Sequence, residues 1–346
     1  MKEFAIIEEL RSRSRPVDGV TLGIGDDTAI LEPGRFDLIT VDTIVEGVHF
    51  RRDWSSPEAI GWKLLACNLS DIAAMGGAPG PYLVAMAIGP AVDHAWIEGV
   101  FRGMEAAAEA FVPAGFETGL IGGDTTQTSG PTVLSLTLLG EAAPAGAVLR
   151  SGATPGDRIC LIGGVGESVA GLRLLEHFEA TGRSLDTAEE HHARLINAHR
   201  YPAAMVKEGA LLGLHGLANA LIDVSDGLAQ DLGHILRASR VGARVESHRL
   251  PLSSDARRAA SELGASVVDW GLSGGEDYAL VCTVSPDRAA QIFELAEEHG
   301  FEVRDIGEIR EEREGFRIVD ASGLDVSPSS RGYEHRFGRD IGSGES

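Results

Sequence analysis

Apolar runs of strand length alternate along this chain with runs of helical spacing, and this alternation limits the folds open to it. Three strand-like runs occur in the first half: FDLITVD at 36–42, YLVAMAI at 82–88 and TVLSLTLLG at 132–140. Their aliphatic and β-branched residues are typical of strands, whereas the stretches between them show helical periodicity. The alternation predicts a fold of mixed α and β structure.

Two helices are predicted between these strands. The first lies in SSPEAIGWKLLACNLSDIAAMGG, where Ser56 suits the N-cap and Pro57 the first helical position. Its apolar face carries Ile60, Leu64 and Cys67. The second helix, HAWIEGVFRGMEAAAEAF, follows Asp93 as its predicted N-cap and ends before Pro113. Two helices over a sheet form one domain.

A second block of the same kind follows EAAPAGAVLRSGATPGD at 141–157, a stretch rich in Ala, Gly and Pro. Such a composition is typical of a domain boundary. Beyond it, the strand RICLIGG leads into the helix ESVAGLRLLEHFEA, and the strand NALIDVS leads into DGLAQDLGHILRAS. We predict an N-terminal domain over 1–145, a C-terminal α/β domain over 150–338 and a flexible tail over 339–346.

The acidic balance of the chain argues against several classes of partner. Its 346 residues include 52 Asp and Glu against 30 Lys and Arg, a formal charge of -22, which disfavours binding to nucleic acid or anionic lipid. The N-terminus lacks the apolar core of a signal peptide, and no apolar run reaches the roughly 18 residues of a membrane span. We expect a cytoplasmic protein without nucleic-acid or membrane partners.

The cysteines and histidines show no spacing typical of a metal site. The three cysteines, at 67, 160 and 282, are far apart in the sequence and form no C-x-x-C pair, which predicts buried free thiols. The eleven histidines include no H-E-x-x-H pattern. The consecutive pair His191 and His192 lies in a polar helical stretch and is predicted to face solvent.

Carboxylates recur where a strand or helix gives way to glycine or another small residue. These acidic positions are Asp26, Asp27, Asp42, Asp71, Asp124, Asp223, Asp226, Glu276 and Asp277. Any one of them is explained by an Asx turn or a helix N-cap, and Asp226 is the clearest such case. As a set, however, neighbouring carboxylates repel and raise each other's pKa unless a cation holds them.

Hydroxyl groups accompany these carboxylates, at Thr40, Thr43, Thr125 and Ser225. Hard oxygen ligands suit Mg²⁺, which usually binds one or two carboxylates together with water and substrate phosphates. The glycine-rich stretches LGIGDDTAI and LIGGDTTQT contain no lysine, so metal has to supply the positive charge beside a phosphate. The pattern predicts several Mg²⁺ ions bridging a polyphosphate.

Other nucleotide-binding and cation-binding motifs are absent from the sequence. It contains no G-x-x-x-x-G-K-[ST] and no kinase H-R-D or D-F-G set, and its aspartates do not follow the EF-hand offsets. Gly164 and Gly166 lack the third glycine of a dinucleotide fingerprint and predict a tight strand-to-helix connection.

Eight short blocks occur in the order and spacing of one family. They are GIGDDTAI, VDTIVEGVHF, NLSDIAAMGG, IGGDTT, LRSGATPGD, IDVSDGL, SGGEDYAL and the C-terminal GYEHRF. Over nearly its whole length the chain resembles the thiamine-monophosphate kinases, a family of the aminoimidazole ribonucleotide synthetase-like superfamily. Each block is weak alone, but the ordered set is specific.

The resemblance implies ATP-dependent phosphorylation of thiamine monophosphate to thiamine diphosphate in a homodimer. It implies two-domain α/β subunits whose N-terminal domains bind ATP and Mg²⁺ and pair through their sheets. No general base or nucleophile is expected, because a phosphate monoester with a second pKa of about 6 is already largely ionised at neutral pH and can attack the γ-phosphorus directly.

The matching motifs imply three groups of contacts. The implied Mg²⁺ ligands are Asp27, Thr40, Asp42, Asp71, Asp124, Asp223 and Asp226. The implied ATP contacts are Gly123, Asp124, Arg150 and Ser225. The implied contacts to thiamine monophosphate are His49, Glu276 and Tyr333. Val41 stands where relatives often carry a hydroxyl residue, so it is left outside the site.

Alternatives remain open at the level of residues and of function. His49 also fits a core histidine, Tyr333 an anchor for the tail, and Arg150 a salt bridge in the linker. The alternative functions are another ATP-using member of the superfamily and a non-catalytic nucleotide-binding or Mg²⁺-binding module. Selenophosphate synthetases usually need a reactive cysteine or selenocysteine near the N-terminus, and residues 1–30 contain neither. Hydrogenase-maturation proteins need a cysteine in the C-terminal tail, which this tail lacks.

Overall fold

The computed structural model of the chain describes residue 13, residues 16–22, residues 30–328 and residues 332–333. Asp27 and the tail 339–346 lie outside the described residues, so the predictions made for them stay predictions. The predicted mixed α and β class is confirmed, because the described residues form two mixed sheets covered by helices.

The N-terminal half forms a four-stranded sheet with two helices on one face. A small antiparallel pair precedes it, β1 (Val20–Leu22) and β2 (Ile30–Leu31). The four strands are β3 (Leu38–Val45), β4 (Ala78–Ile88), β5 (Gly119–Gln127) and β6 (Val133–Glu141), in spatial order β3-β6-β4-β5. The helices are α1 (Pro57–Ala74) and α2 (His94–Phe111). Strands β4 and β5 run parallel, and the other neighbours run antiparallel.

Both predicted helix starts are confirmed. The Ser56 hydroxyl accepts a hydrogen bond from the Ala59 backbone N–H, and the Asp93 carboxylate accepts one from Trp96. Each cap satisfies a backbone donor that has no partner within its helix. The predicted apolar face of α1 is buried, at Ile60, Leu64 and Cys67.

The C-terminal half forms a six-stranded sheet in the spatial order β12-β9-β11-β7-β10-β8. Its strands are β7 (Arg158–Ile162), β8 (Ala220–Asp223), β9 (Val241–Glu246), β10 (Leu280–Val284), β11 (Val303–Glu311) and β12 (Phe316–Val319). Its helices are α3 (Glu167–Thr181), α4 (Glu190–Arg200), α5 (Val206–His215), α6 (Leu228–Ser239), α7 (Ser254–Leu263), α8 (Val267–Ser273) and α9 (Ala289–His299). Strands β9 and β12 pair in parallel, and the remaining neighbours are antiparallel.

Helix α1 joins the two halves of the molecule. Most of its length packs in the core of the N-terminal domain. Near its C-terminus, Ala73 and Ala74 belong instead to a core cluster that includes Cys160 of β7, and the Ser70 hydroxyl donates to the Asp223 carboxylate at the end of β8 over 2.8 Å. Residues of both domains therefore meet along this helix. None of the helices in the described part of the chain is long and apolar enough to cross a membrane.

The glycine turn after β7 is confirmed as a strand-to-helix connection. Gly166, with φ of 86°, is the N-cap of α3, and this left-handed conformation favours glycine. The Asp277 carboxylate accepts hydrogen bonds from the backbone N–H groups of Gly166 and Ser168. Asp277 therefore caps the N-terminus of α3. This is the structural role, and not the metal-binding one, of the two that an acidic residue beside glycine can have.

The prediction for the cysteines is confirmed and the prediction for the histidine pair is wrong. All three cysteines are buried free thiols, and Cys160 and Cys282 are direct partners across β7 and β10. His191 and His192 are only 4% and 3% exposed. They are buried because α4 packs against α7, where the Glu262 carboxylate lies within hydrogen-bonding distance of both rings.

Candidate active site

A cavity of about 680 Å³ opens where the two domains meet. Its lining comes from the loop after β3, from α1 and α3, from the turn between β8 and α6, and from the SGGEDY segment. Eight residues predicted from the sequence line it: Asp42, His49, Asp71, Asp223, Ser225, Asp226, Glu276 and Tyr333. The structure thus gathers most of the predicted site residues into one place.

Three carboxylates form one wall of the cavity, with Asp223 buried and Asp42 and Asp71 half-buried. Burial and the charge of Asp71 raise the pKa of Asp42 to about 7. Burial, followed by the charge of Asp71, likewise raises the pKa of Asp223 to about 7. Burial also raises the pKa of Asp71, although the Thr40 hydroxyl donates to this carboxylate and Arg150 contributes positive charge. Such mutual repulsion favours a bound cation.

The donor set of this wall fits Mg²⁺. It offers carboxylate and hydroxyl oxygens, which hard cations prefer. Asp42, Asp71 and Asp223 do not each bring a carboxylate oxygen to within 4.8 Å of the other two. They are therefore spread too widely for a single three-carboxylate cage. This arrangement suits ions that complete their coordination with substrate phosphates and water.

Local periodicity explains how these side chains come to face the cavity. Thr40 and Asp42 alternate along β3 and share the inner face of the sheet with buried Ile44. Lys63, Cys67 and Asp71 follow one another at four-residue spacing and so share one face of α1. The strand and the helix are tied together at Thr40 and Asp71.

The turn between β8 and α6 is stabilised by hydrogen bonds among its own residues. Asp226 is not the N-cap of α6. Gly227 is the N-cap, and Asp231 accepts hydrogen bonds from the backbone N–H groups of Asp226 and Gly227. The Asp226 carboxylate accepts instead from the Gln230 side chain. Gln230 also donates to the Tyr333 carbonyl, and Tyr333 N–H donates to the Asp226 carbonyl. Tyr333 is therefore hydrogen-bonded to this turn and also lines the cavity.

Glu276 is held in an unusual backbone conformation beside a buried lysine. Its φ is 63°, a left-handed value that is uncommon outside glycine, and its N–H donates to the Ser225 carbonyl over 2.7 Å. Lys63 Nζ donates to Glu276 Oε2 over 2.9 Å, and His199 Nδ1 lies 3.2 Å from the same oxygen. Burial works to raise the pKa of Glu276, but the Lys63 charge and the His199 contact bring it well below its usual range. Glu276 thus stays ionised.

The tautomer of His49 is also fixed by a local contact. The Val45 backbone N–H donates to His49 Nδ1 over 3.1 Å. Because Nδ1 accepts, the proton of the neutral ring resides on Nε2. The ring lines the cavity, so the core-histidine alternative does not describe its position.

Four predicted residues lie elsewhere or outside the described residues. Asp124 is exposed on the edge strand β5, opposite Ala85 on the outer face of the sheet, whereas Asp42 faces inward from the other edge. Gly123 lies beside it, where a Cβ atom would be 2.1 Å from the Val84 carbonyl oxygen. Arg150 is exposed in the linker, and its charge acts on Asp71. Asp27 is outside the described part of the chain.

Several residues at the cavity were not among the predicted site residues. Cys67, Ser168, His199 and Tyr278 line it, and Lys63 contacts the lining residue Glu276. The four-residue spacing of Lys63, Cys67 and Asp71 was a usable signal, since it places a rare lysine on the face of an acidic residue. No local signal connects Lys63 with Glu276, because 213 positions separate them.

The fold and this cavity define a two-domain class. Residues 25–142 match the family described as AIR synthase related protein, N-terminal domain. Residues 154–320 match AIR synthase related protein, C-terminal domain. The chain is therefore a protein of the AIR synthase related class.

Similar proteins narrow this class to one family. The thiamine-monophosphate kinase of Bacillus subtilis (strain 168) is 36% identical over 337 residues, 97% of this chain and 99% of the relative. The crystal structure of thiamine-monophosphate kinase from Stenotrophomonas maltophilia K279a matches with a TM-score of 0.79 at 36% identity, covering 92% of this chain and 96% of that one. AaThiL complexed with AMPPCP and TMP matches with a TM-score of 0.73 at 26% identity, covering 96% and 97%. The chain belongs to the thiamine-monophosphate kinase family, and it is an enzyme.

Proposed function

We propose that this chain transfers the γ-phosphoryl group of ATP to the phosphate of thiamine monophosphate, forming thiamine diphosphate. The observation that carries the proposal is the convergence of Asp42, Asp71 and Asp223 on one wall of the interdomain cavity. Membership of the family and the related structure with AMPPCP and TMP support the two substrates. The proposal places the reaction in the cytoplasm, since free thiols are typical of a reducing compartment.

The residues proposed to hold Mg²⁺ are Thr40, Asp42, Asp71, Asp223 and Asp226, together with Asp27 and Asp124. When bound, Mg²⁺ supplies positive charge that neutralises phosphate oxygens during phosphoryl transfer. The carboxylates of the wall, which a bound cation would keep ionised, would hold that charge in place. Gly123, Arg150 and Ser225 are the proposed ATP contacts, and the Arg150 guanidinium has a geometry that matches phosphate oxygens.

The proposed acceptor site has one charged, one polar and one aromatic contact. His49 carries a proton on Nε2 that can hydrogen bond to the substrate. Ionised Glu276 provides negative charge for the cationic thiazolium ring, and Tyr333 provides an aromatic face for it. The substrate phosphate attacks the γ-phosphorus in line and needs no general base, because it is already ionised at neutral pH. In this proposal His49, Glu276 and Tyr333 contribute to catalysis by positioning the substrate phosphate for attack.

The direct test is to supply the purified protein with ATP, Mg²⁺ and thiamine monophosphate. We expect stoichiometric formation of ADP and thiamine diphosphate, with free thiamine a negligible acceptor. Thiamine offers an un-ionised hydroxyl, and the proposal assigns the carboxylates of the wall to Mg²⁺ and His49 to holding the substrate, which leaves none of them to act as the base. Chromatographic separation of the thiamine phosphates measures both acceptors. Binding of ATP with no formation of ADP or thiamine diphosphate would instead favour a non-catalytic nucleotide-binding module. Equal turnover of free thiamine would contradict the direct attack by phosphate.

We also propose a homodimer that pairs through the outer face of the N-terminal sheet. Ile39 and Val41 are 72% and 61% exposed on this face, whereas the inward residues of β6 are fully buried. A contiguous apolar patch on an otherwise acidic surface is typical of a protein interface. Asp124 lies on the same outer face. A second copy paired there would therefore bring Asp124 and Gly123 close to a polyphosphate bound by that copy.

The assembly is tested by light scattering on Val41→Asp. The unchanged protein is expected to show twice the 36.5 kDa mass of one chain, and Val41→Asp is expected to show the single mass, because it places two charges in the paired face. Leu214→Asp is the matched control, since Leu214 on α5 is also 61% exposed but lies outside the sheet. A monomeric unchanged protein would remove the dimer and leave the kinase proposal standing.

A further inference from the structure

Two histidines and a glutamate converge between α4 and α7, outside the lining of the cavity. His191 Nε2 lies 3.2 Å from Glu262 Oε1, and His192 Nε2 lies 2.7 Å from Glu262 Oε2. The two imidazole rings lie against each other, with centroids 3.9 Å apart. Within the described residues, these ligand atoms all lie within 4.8 Å of one another.

These separations are close to those of a tetrahedral metal site. Zinc binds imidazole nitrogen and carboxylate oxygen at about 2.0–2.2 Å, which places ligand atoms roughly 3.3 Å apart around the ion. The two nitrogen–oxygen separations, 3.2 and 2.7 Å, are near this value, and the two imidazole ligand nitrogens lie within 4.8 Å of each other. The Glu262 side chain is 36% exposed, so an ion can enter from solvent and retain water as a fourth ligand.

The charges around the cluster favour a divalent cation. The ion pairs at and next to the cluster join four carboxylates to two guanidinium groups, a net charge of -2 when the imidazoles are neutral. These groups are Glu189, Glu190, Asp255 and Glu262, paired with Arg194 and Arg258. The Arg258 Nε group donates to Glu262 Oε1 over 2.9 Å. Glu262 Oε2 lies 2.7 Å from His192 Nε2 and 3.4 Å from His191 Nε2, so an ion bound among these three atoms would take the place of the ring protons that now face the carboxylate.

An outer contact also supports the orientation of one ligand. His191 Nδ1 lies 3.7 Å from a Glu189 carboxylate oxygen. Metal-binding histidines commonly direct their second nitrogen to a carboxylate, which keeps the proton there and leaves the first nitrogen free to coordinate. The 3.7 Å separation is longer than a hydrogen bond, and the same Glu189 oxygen accepts from Arg258 over 2.7 Å, so the Glu189 side chain would have to move slightly to take this role when Nε2 binds the ion.

We propose that His191, His192 and Glu262 form a binding site for Zn²⁺ or a similar late first-row divalent ion. Two imidazoles and one carboxylate form a donor set that such ions prefer and that Mg²⁺ does not. The site joins α4 to α7 and therefore stabilises the C-terminal domain when occupied. It is separate from the carboxylate wall at which phosphoryl transfer is proposed.

The test titrates untagged, chelator-treated protein with Zn²⁺ while excess Mg²⁺ occupies the carboxylate wall. We expect one Zn²⁺ per chain and a Tm that rises with Zn²⁺ concentration, because the ion binds the folded state. Cobalt(II) in place of zinc is expected to show the visible absorption bands of a tetrahedral site. His192→Gln and Glu262→Gln are expected to lose the zinc stoichiometry, the Tm response and the cobalt bands.

His215→Gln is the matched control, because this exposed histidine lies at the end of α5 and outside the cluster. Circular dichroism and kinase activity report whether each variant is folded, and both are expected to be retained because the cluster lies outside the catalytic cavity. Zinc binding that persists equally in His192→Gln and Glu262→Gln would overturn the proposal. So would a Tm of the unchanged protein that does not respond to excess Zn²⁺.

Discussion

Asp71→Asn is expected to lower kcat/KM for thiamine diphosphate formation by at least about a hundredfold, the loss typical when one electrostatic contact to a transition state is removed. Asp71 is the central member of the carboxylate wall, because its charge raises the pKa of both Asp42 and Asp223. Asparagine keeps the size of the side chain and removes its charge. Steady-state kinetics with saturating Mg²⁺ measures the effect.

The same substitution should act in the opposite direction on stability. Without Mg²⁺, Asp71→Asn is expected to raise Tm, because it relieves the repulsion that Asp71 exerts on Asp42 and Asp223. Asp93→Asn is the matched control, since asparagine also caps helices and Asp93 lies outside the cavity. Near-normal turnover of Asp71→Asn would contradict the proposed metal ligation. A parallel loss of activity and of Tm would indicate a purely structural role.

Lys63→Met is expected to lower the free energy of unfolding by about 3–5 kcal/mol, the range found when one partner of a buried ion pair is removed. The Lys63 side chain is only 5% exposed and Glu276 is 27% exposed, so the substitution leaves Glu276 with little solvent to replace the lysine. Urea denaturation at neutral pH measures the loss. Lys207→Met is the control, and its exposed position predicts a change within about 0.5 kcal/mol.

The pair can be separated from general packing effects by pH and by a double variant. Because the folded state lowers the pKa of Glu276, its contribution to stability is present above the ordinary value of 4.5 and is lost as pH falls through the lowered value. The difference between the unchanged protein and Lys63→Met should therefore shrink on acidification. Lys63→Met combined with Glu276→Gln should be more stable than Lys63→Met alone. A difference that is independent of pH would show that lost packing, not the ion pair, is responsible.

The sequence by itself determined those features that depend on neighbouring residues. The caps at Ser56 and Asp93, the buried face of α1 and the glycine turn at Gly166 were all predictable, because each follows from the chemistry or periodicity of a few consecutive positions. The ordered motif blocks also identified the family. The acidic positions beside glycine or small residues include the cavity carboxylates Asp42, Asp71 and Asp223, but they also include Asp124 and Asp277, which do not line the cavity.

The tertiary structure alone decided which distant residues meet. Lys63 and Glu276 form an ion pair although 213 positions separate them in the sequence. His191 and His192 are buried because α7 packs Glu262 against α4, a helix whose sequence is polar. Likewise, the order of the strands places Asp124 at the edge of the sheet opposite to Asp42. The pairing of Asp124 with exposed Ala85 places it on the outer face. Such contacts depend on packing between segments that are distant in the sequence. The free energy of this packing is shared among many residues, so it produces no repeating pattern in the sequence of either segment.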